Sequence, residues 1–144
     1  MLKGISPVIS PELLKALCEM GHGDELVIAD GNFPSASVGK DAIVVRADGH
    51  GTSRILEAIL QLFPLDTYVD EPVALMQVVP GDKEPTPAIW KEYEAILEKY
   101  EPDNRRMEMV ERFAFYEAAK KCYAVVSTGE SALYANVILQ KGVL

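Results

Sequence analysis

Two histidines occur in this 144-residue chain, and one of them, His22, stands between two glycines in Met20-Gly21-His22-Gly23-Asp24. Imidazole is the side chain whose charge changes most readily near neutral pH. Flanking glycines let the backbone turn sharply and leave room for a ligand. His22 also lies just past an expected helix, where the negative end of the helix dipole favours imidazolium by roughly 0.3–1 kcal/mol. A carboxylate partner acts in the same direction. Asp30 is the natural companion, because it closes the hydrophobic run Glu25-Leu26-Val27-Ile28-Ala29. It reads as a group that binds a substrate hydroxyl or orients the imidazole. Taken alone, an isolated histidine is more often structural, and Asp30 reads equally as a loop residue or helix cap. Asp24, nearer in sequence, has the character of a solvated turn residue.

A second group of polar side chains lies in the C-terminal third. Arg112-Phe113-Ala114-Phe115-Tyr116 falls where a strand is expected to end and a helix to begin. Arginine offers planar donors suited to sugar oxygens and carboxylates, although a surface salt bridge explains it as well. Phe113 and Phe115 read as core or subunit contacts. The Tyr116 hydroxyl suits either a ligand or a buried backbone partner. Tyr134-Ala135-Asn136 has the i, i+2 spacing that puts two side chains on one strand face. Tyrosine and asparagine together supply uncharged donors and acceptors, which fits a neutral polyhydroxylated ligand. Gly49-His50-Gly51-Thr52-Ser53 resembles a phosphate cradle only superficially, without the dinucleotide fingerprint or a Walker lysine. His50 is expected to be an exposed loop residue. No His, Cys and acid cluster has metal-ligand spacing, so neither a metal site nor a cofactor is expected. Cys18 and Cys122 read as small buried side chains on apolar faces.

The elements that must position these residues alternate between strand and helix. Ser10-Pro11-Glu12 is a helix start, with Leu13, Leu14, Leu17 and Met20 forming its apolar stripe. Residues 25–29 are a short strand, 31–40 an irregular loop, and 42–46 a second strand. Thr52 or Ser53 is expected to cap a helix carrying Ile55, Leu56, Ile59, Leu60 and Phe63. Pro72 to Val79 is apolar on both faces, as in a covered strand. Thr86-Pro87 opens a helix bearing Ile89, Trp90, Tyr93, Ile96 and Leu97. Residues 107–110, 123–127 and 134–139 complete six strands, with a short helix over 113–121. The pattern predicts a single α/β domain over residues 1–144. Its central, mostly parallel sheet is covered by helices on both faces. Ligands in such sheets bind beyond the carboxyl ends of the strands.

Composition narrows the chemistry. The chain is 49% hydrophobic, with no stretch near the ~20 apolar residues of a membrane span. Its N-terminus lacks the pattern of a signal peptide, so a cytoplasmic protein is expected. The net charge of −8 disfavours nucleic acid and anionic substrates. A neutral small molecule fits better.

The order and spacing of these pieces resemble the fucose branch of the ribose pyranase and fucose mutarotase family. The resemblance runs along nearly the whole chain. It begins with Met1-Leu2-Lys3-Gly4-Ile5-Ser6-Pro7 and Ile9-Ser10-Pro11-Glu12-Leu13-Leu14. It continues through Glu19-Met20-Gly21-His22-Gly23-Asp24-Glu25, Asn32-Phe33-Pro34 and Arg46-Ala47-Asp48-Gly49. Arg112-Phe113-Ala114-Phe115-Tyr116-Glu117, Thr128-Gly129-Glu130, Tyr134-Ala135-Asn136 and Lys141-Gly142 complete it. It implies that His22 is a proton donor and Asp30 a substrate-binding aspartate. It implies that Arg112 marks the fucose branch, where the ribose branch commonly carries histidine. Tyr134 and Asn136 would be a sugar-binding pair. It further implies ring-shaped homo-oligomers, commonly decamers, with sites near subunit boundaries. Ala135 departs from the glycine frequent in fucose-type relatives, and its added Cβ bears on the placement of Tyr134 and Asn136.

The activity so implied is cofactor-free interconversion of the α and β anomers of a free monosaccharide, L-fucose foremost. A proton goes to the ring oxygen while another leaves the anomeric hydroxyl, with Tyr116, a carboxylate or a water as base. Pyranose–furanose conversion of D-ribose, and sugar binding without catalysis, are the alternatives.

Overall fold

The computed structural model describes residues 2–144; Met1, the first residue of the matched opening segment, lies outside them. Ser10 starts α1 (Pro11–Glu19) by accepting the Leu13 N–H at 3.1 Å, with proline in the first turn. There follow β1 (Glu25–Ala29), a single turn α2 (Ser35–Val38), β2 (Ile43–Ala47), α3 (Thr52–Leu60) and β3 (Val73–Met76). Then come α4 (Ile89–Tyr100), β4 (Met107–Val110), α5 (Arg112–Ala119), β5 (Ala124–Thr128) and β6 (Val137–Gln140).

The six strands form one sheet in the order β2-β5-β1-β6-β3-β4. The pairs β2–β5, β1–β5 and β3–β4 are parallel. Only β6 runs against its neighbours, β1 and β3, so the sheet is mixed and mostly parallel. Alternation along β1 divides the core. Leu26 and Ile28 face α1, α3 and α4, whereas Val27 and Ala29 face α2 and α5. The α4 side carries Trp90, Tyr93 and Leu97, and the α5 side carries Phe115, Ala119 and Cys122. The expected α/β architecture, covered on both faces, is the one observed.

This topology decides what can meet. The residue after β1, the residues after β3 and β4, and the residues before β6 all emerge at one edge of the sheet. The residue before β1, those before β3, and the end of β6 emerge at the other.

Several expected boundaries shift for identifiable reasons. β3 stops at Met76, because its partner β4 ends at Val110. The expected strand over 134–139 begins only at Val137. Tyr134 has φ +56°, in the left-handed region, which takes it out of any ladder. The pleat argument for Tyr134 and Asn136 is therefore wrong, although both still reach the same edge. The helix expected at Thr86-Pro87 begins at Ile89, and the loop over 31–40 contains α2. α3 is not capped by its own Thr52 or Ser53: Thr52 is its first residue, and its N–H is taken by the Glu130 carboxylate at 3.2 Å.

Candidate active site

At the strand-exit edge, β6 lies between β1 and β3, so Asn136 arrives directly beside Asp30. Asn136 Oδ1 accepts the Asp30 N–H, and Asn136 Nδ2 donates to Asp30 Oδ2, both at 2.9 Å. Asp30 Oδ1 also accepts the Asn32 N–H at 2.9 Å. Both side chains are buried. Burial pushes the Asp30 carboxyl above the usual aspartate range, and the Asn32 and Asn136 hydrogen bonds oppose it. The result is a carboxylate fixed in orientation at the floor of a cleft.

The cleft has a volume of about 230 Å³. Asp30, Asn136, Phe33, Arg112, Tyr116 and Tyr134 line it. Arg112 opens α5, where the Glu111 carboxylate accepts the N–H groups of Phe113 and Ala114 at 2.9 and 3.1 Å. Among the described residues the guanidinium has no carboxylate partner. It sits 5.7 Å from the Phe113 ring centroid and 5.8 Å from that of Tyr116. The Tyr116 ring leans on Phe33, with 5.5 Å between centroids. A surface salt bridge is thus not what occupies Arg112. Five of the six expected site residues, Asp30, Arg112, Tyr116, Tyr134 and Asn136, are brought together in one cleft.

His22 is not brought there within one chain. It precedes β1 while Asp30 follows it, and five strand residues alone span roughly 17 Å. Asp30 therefore does not orient this imidazole. Asp66 does: His22 Nε2 lies 3.0 Å from Asp66 Oδ1. Asp66 is buried at 2% exposure while the His22 side chain is 45% exposed. The Tyr68 N–H donates to Asp66 Oδ1 and Gln140 Nε2 to Oδ2, each at 3.0 Å. The Tyr68 ring covers the imidazole at 5.3 Å. Nor does the end of α1 act on His22 in the expected way. Lys141 Nζ donates to the Leu17 and Met20 carbonyls and occupies that helix end. Gly23, at φ +84°, makes the turn that lifts His22 clear of β1.

Asp66 escaped the sequence reading because it is 44 residues from His22. What places it is topological: Leu65 bridges Lys141 just past the end of β6, so Asp66 emerges at the same edge as the residue before β1. The Tyr68 N–H, with the His22 and Gln140 contacts, holds the Asp66 carboxyl below the usual range despite burial. Its native proton affinity is then lower than its unfolded one, so the unfolded chain binds more protons in that window. The resulting stability is present above the unfolded value of about 3.9 and is lost as pH falls through the lower, folded one. Asp66→Asn should accordingly lower stability at pH 7, and that deficit should shrink at pH 3. Urea unfolding of both proteins at the two pH values checks this.

Other expectations are revised by the same geometry. The phosphate-like loop before α3 is filled from within the chain, because Glu130 takes both the N–H and the hydroxyl of Thr52. Gly129 is needed there: a Cβ on it would stand 2.0 Å from the Asp48 carbonyl oxygen. His50 is half-buried rather than exposed, and among the described residues its Nδ1 has no partner. Cys18 is exposed, contrary to expectation, whereas Cys122 is buried and its thiol is pushed up to about 12 by burial. Phe115 is core, one of the two expected roles, and Phe113 is 69% exposed. Ala135 is fully buried with its methyl in the core, and the positive φ belongs to Tyr134 instead. No helix among the described residues is long and apolar enough to cross a membrane.

The model of the RbsD / FucU transport protein family matches residues 3–144. The fucose mutarotase of Homo sapiens is 55% identical over 147 residues, covering 99% of this chain and 94% of that protein. The crystal structure of FucU from Bifidobacterium longum superposes with TM-score 0.95 at 60% identity, covering 99% of both chains. The fucose mutarotase of Streptococcus pneumoniae, crystallised in complex with L-fucose, gives TM-score 0.93 at 49% identity, again over 99% of both chains.

Proposed function

Because this chain belongs to the RbsD / FucU transport protein family, we propose that it is a cofactor-free sugar isomerase that interconverts the α and β anomers of L-fucose. The observation that carries this reading is the cleft itself. It combines a buried, oriented carboxylate, an arginine with no ion-pair partner among the described residues, and two phenols. Such a lining binds the hydroxyls of a neutral sugar and lacks the several cations that a phosphorylated one would need. The fucose mutarotases and the fucose-bound structure among its relatives support the choice of sugar.

Anomer exchange requires a proton at the ring oxygen and removal of one from the anomeric hydroxyl. Asp30, held by Asn136, accepts from a sugar hydroxyl. Arg112 donates to sugar oxygens, and Tyr116 and Tyr134 flank them. The donor is His22. With Nε2 engaged by the Asp66 carboxylate, Nδ1 is the nitrogen left to deliver a proton. Asp66 fixes the orientation of the ring by engaging Nε2, as an acidic orienting group does in other imidazole-dependent sites.

In this reading the imidazole reaches the cleft from a neighbouring copy. His22 and Asp30 leave opposite edges of one sheet, so a head-to-tail contact brings one chain's dyad to the next chain's cleft. The exposed surface supports such a contact. Val79, Phe113 and Leu133 near the cleft are 41%, 69% and 59% exposed, and Tyr68 beside the dyad is 77% exposed. Large apolar groups left exposed in this way mark interaction surfaces. A heterologous contact that closes makes a ring, a decamer on the resemblance drawn above, and gives every cleft one dyad.

Saturation-transfer NMR on the anomeric protons tests the activity. The protein should transfer magnetisation between the anomers of L-fucose, and faster than it interconverts the forms of D-ribose. Binding of L-fucose with no transfer above the uncatalysed rate would replace the enzyme reading by a sugar-binding one.

A further inference from the structure

Tyr134 is held more firmly than a surface tyrosine, and its hydroxyl is aimed. Its carbonyl accepts Trp90 Nε1–H at 2.9 Å, and the next carbonyl, that of Ala135, accepts the buried Tyr93 hydroxyl at 2.6 Å. These bonds pin the backbone at and just after the positive-φ residue. The phenol then reaches the turn after β3, where its O–H donates to Asp82 Oδ2 at 2.6 Å. The other carboxylate oxygen of Asp82 accepts the Lys83 N–H at 2.6 Å. Asp82 N–H in turn donates to the Val79 carbonyl at 3.1 Å, and the Val79 N–H approaches the Tyr134 oxygen at 3.4 Å. Asp82 does not line the cleft, whereas Val79 and Tyr134 do.

A phenol has one proton to donate and lone pairs to accept. Once that proton is committed to a carboxylate, the oxygen can act toward the cleft only as an acceptor. We propose that Asp82 is a positioning residue that makes Tyr134 a hydrogen-bond acceptor for a sugar hydroxyl in the cleft. The inference rests on the function proposed above and adds a residue that does not itself touch the sugar. It also accounts for the direction of the phenol's acidity: the Asp82 hydrogen bond, with burial, holds Tyr134 above the usual tyrosine range.

The test is a double-mutant cycle with L-fucose exchange as the readout, on full-length protein. Asp82→Ala should lower exchange by about tenfold or more, the usual effect of removing a charged hydrogen-bond partner. In a Tyr134→Phe background, which has no hydroxyl to position, the same change should have under about a twofold effect, because coupled residues are not additive. Asp82→Asn keeps an acceptor oxygen and should recover most of the loss. A tyrosinate absorbance titration, differenced against Tyr134→Phe, should show the Tyr134 phenol titrating at lower pH in Asp82→Ala. Unchanged exchange in Asp82→Ala, a loss that simply adds to that of Tyr134→Phe, or no recovery in Asp82→Asn would each overturn the assignment while leaving the mutarotase reading intact. A wild-type protein without exchange would overturn both.

Discussion

Replacing His22 by alanine should reduce L-fucose anomer exchange by about 10²–10⁴-fold, the contribution of one positioned acid–base group. Folding should survive the change. The imidazole is half exposed, and the Asp66 carboxylate it leaves behind keeps the Tyr68 N–H and the Gln140 amide. Loss of exchange must therefore be read beside a thermal midpoint close to wild type and an L-fucose affinity that changes little, because Asp30, Arg112, Tyr116, Tyr134 and Asn136 remain to hold the sugar. Asp66→Asn should follow in the same direction with a smaller loss. Asparagine can still accept from Nε2–H through its carbonyl oxygen, but the hydrogen bond that holds the ring is no longer charge-assisted and is weaker. If His22→Ala exchanged L-fucose at the wild-type rate, the proton would come from within the cleft, and Asp30 would be the leading donor, since burial raises its carboxyl.

Much of the fold was legible in local pattern. Ser10-Pro11 and the apolar stripe marked α1, and β1 was read with the bounds it has. Alternating strands and helices implied the layered α/β architecture. What local pattern could not supply was pairing order. Tyr134 and Asn136 were expected to share a strand face. They share a cleft instead because β6 inserts antiparallel between β1 and β3. The same insertion explains the clamp between Asn136 and Asp30, two residues 106 positions apart. Short-range reasoning also erred where a distant side chain did the work of a near one. Glu130 rather than Thr52 or Ser53 satisfies the start of α3, Lys141 rather than His22 occupies the end of α1, and Asp66 rather than Asp30 holds the imidazole. Each substitution is a charged group arriving from another element, which spacing along the chain does not encode. The types and numbers of the cleft residues, by contrast, were readable, because polar side chains gathered at strand exits have few places to go.

In the proposed composite site, one copy's cleft works with the next copy's His22–Asp66 dyad. Mixed oligomers test that directly. One tagged chain carries His22→Ala, with an intact cleft and no donor. The other, with a different tag, carries Arg112→Ala and Tyr134→Phe, with an intact dyad and a crippled cleft. Each alone should be nearly inactive. Rings that contain both, co-expressed in equal amounts and purified through both tags, should recover roughly a quarter of wild-type exchange. Half the clefts are intact, and half of those face an intact dyad across a heterologous contact. Mixed rings no more active than the average of their two parents would contradict the composite site and return the search for a proton donor to the cleft of a single chain.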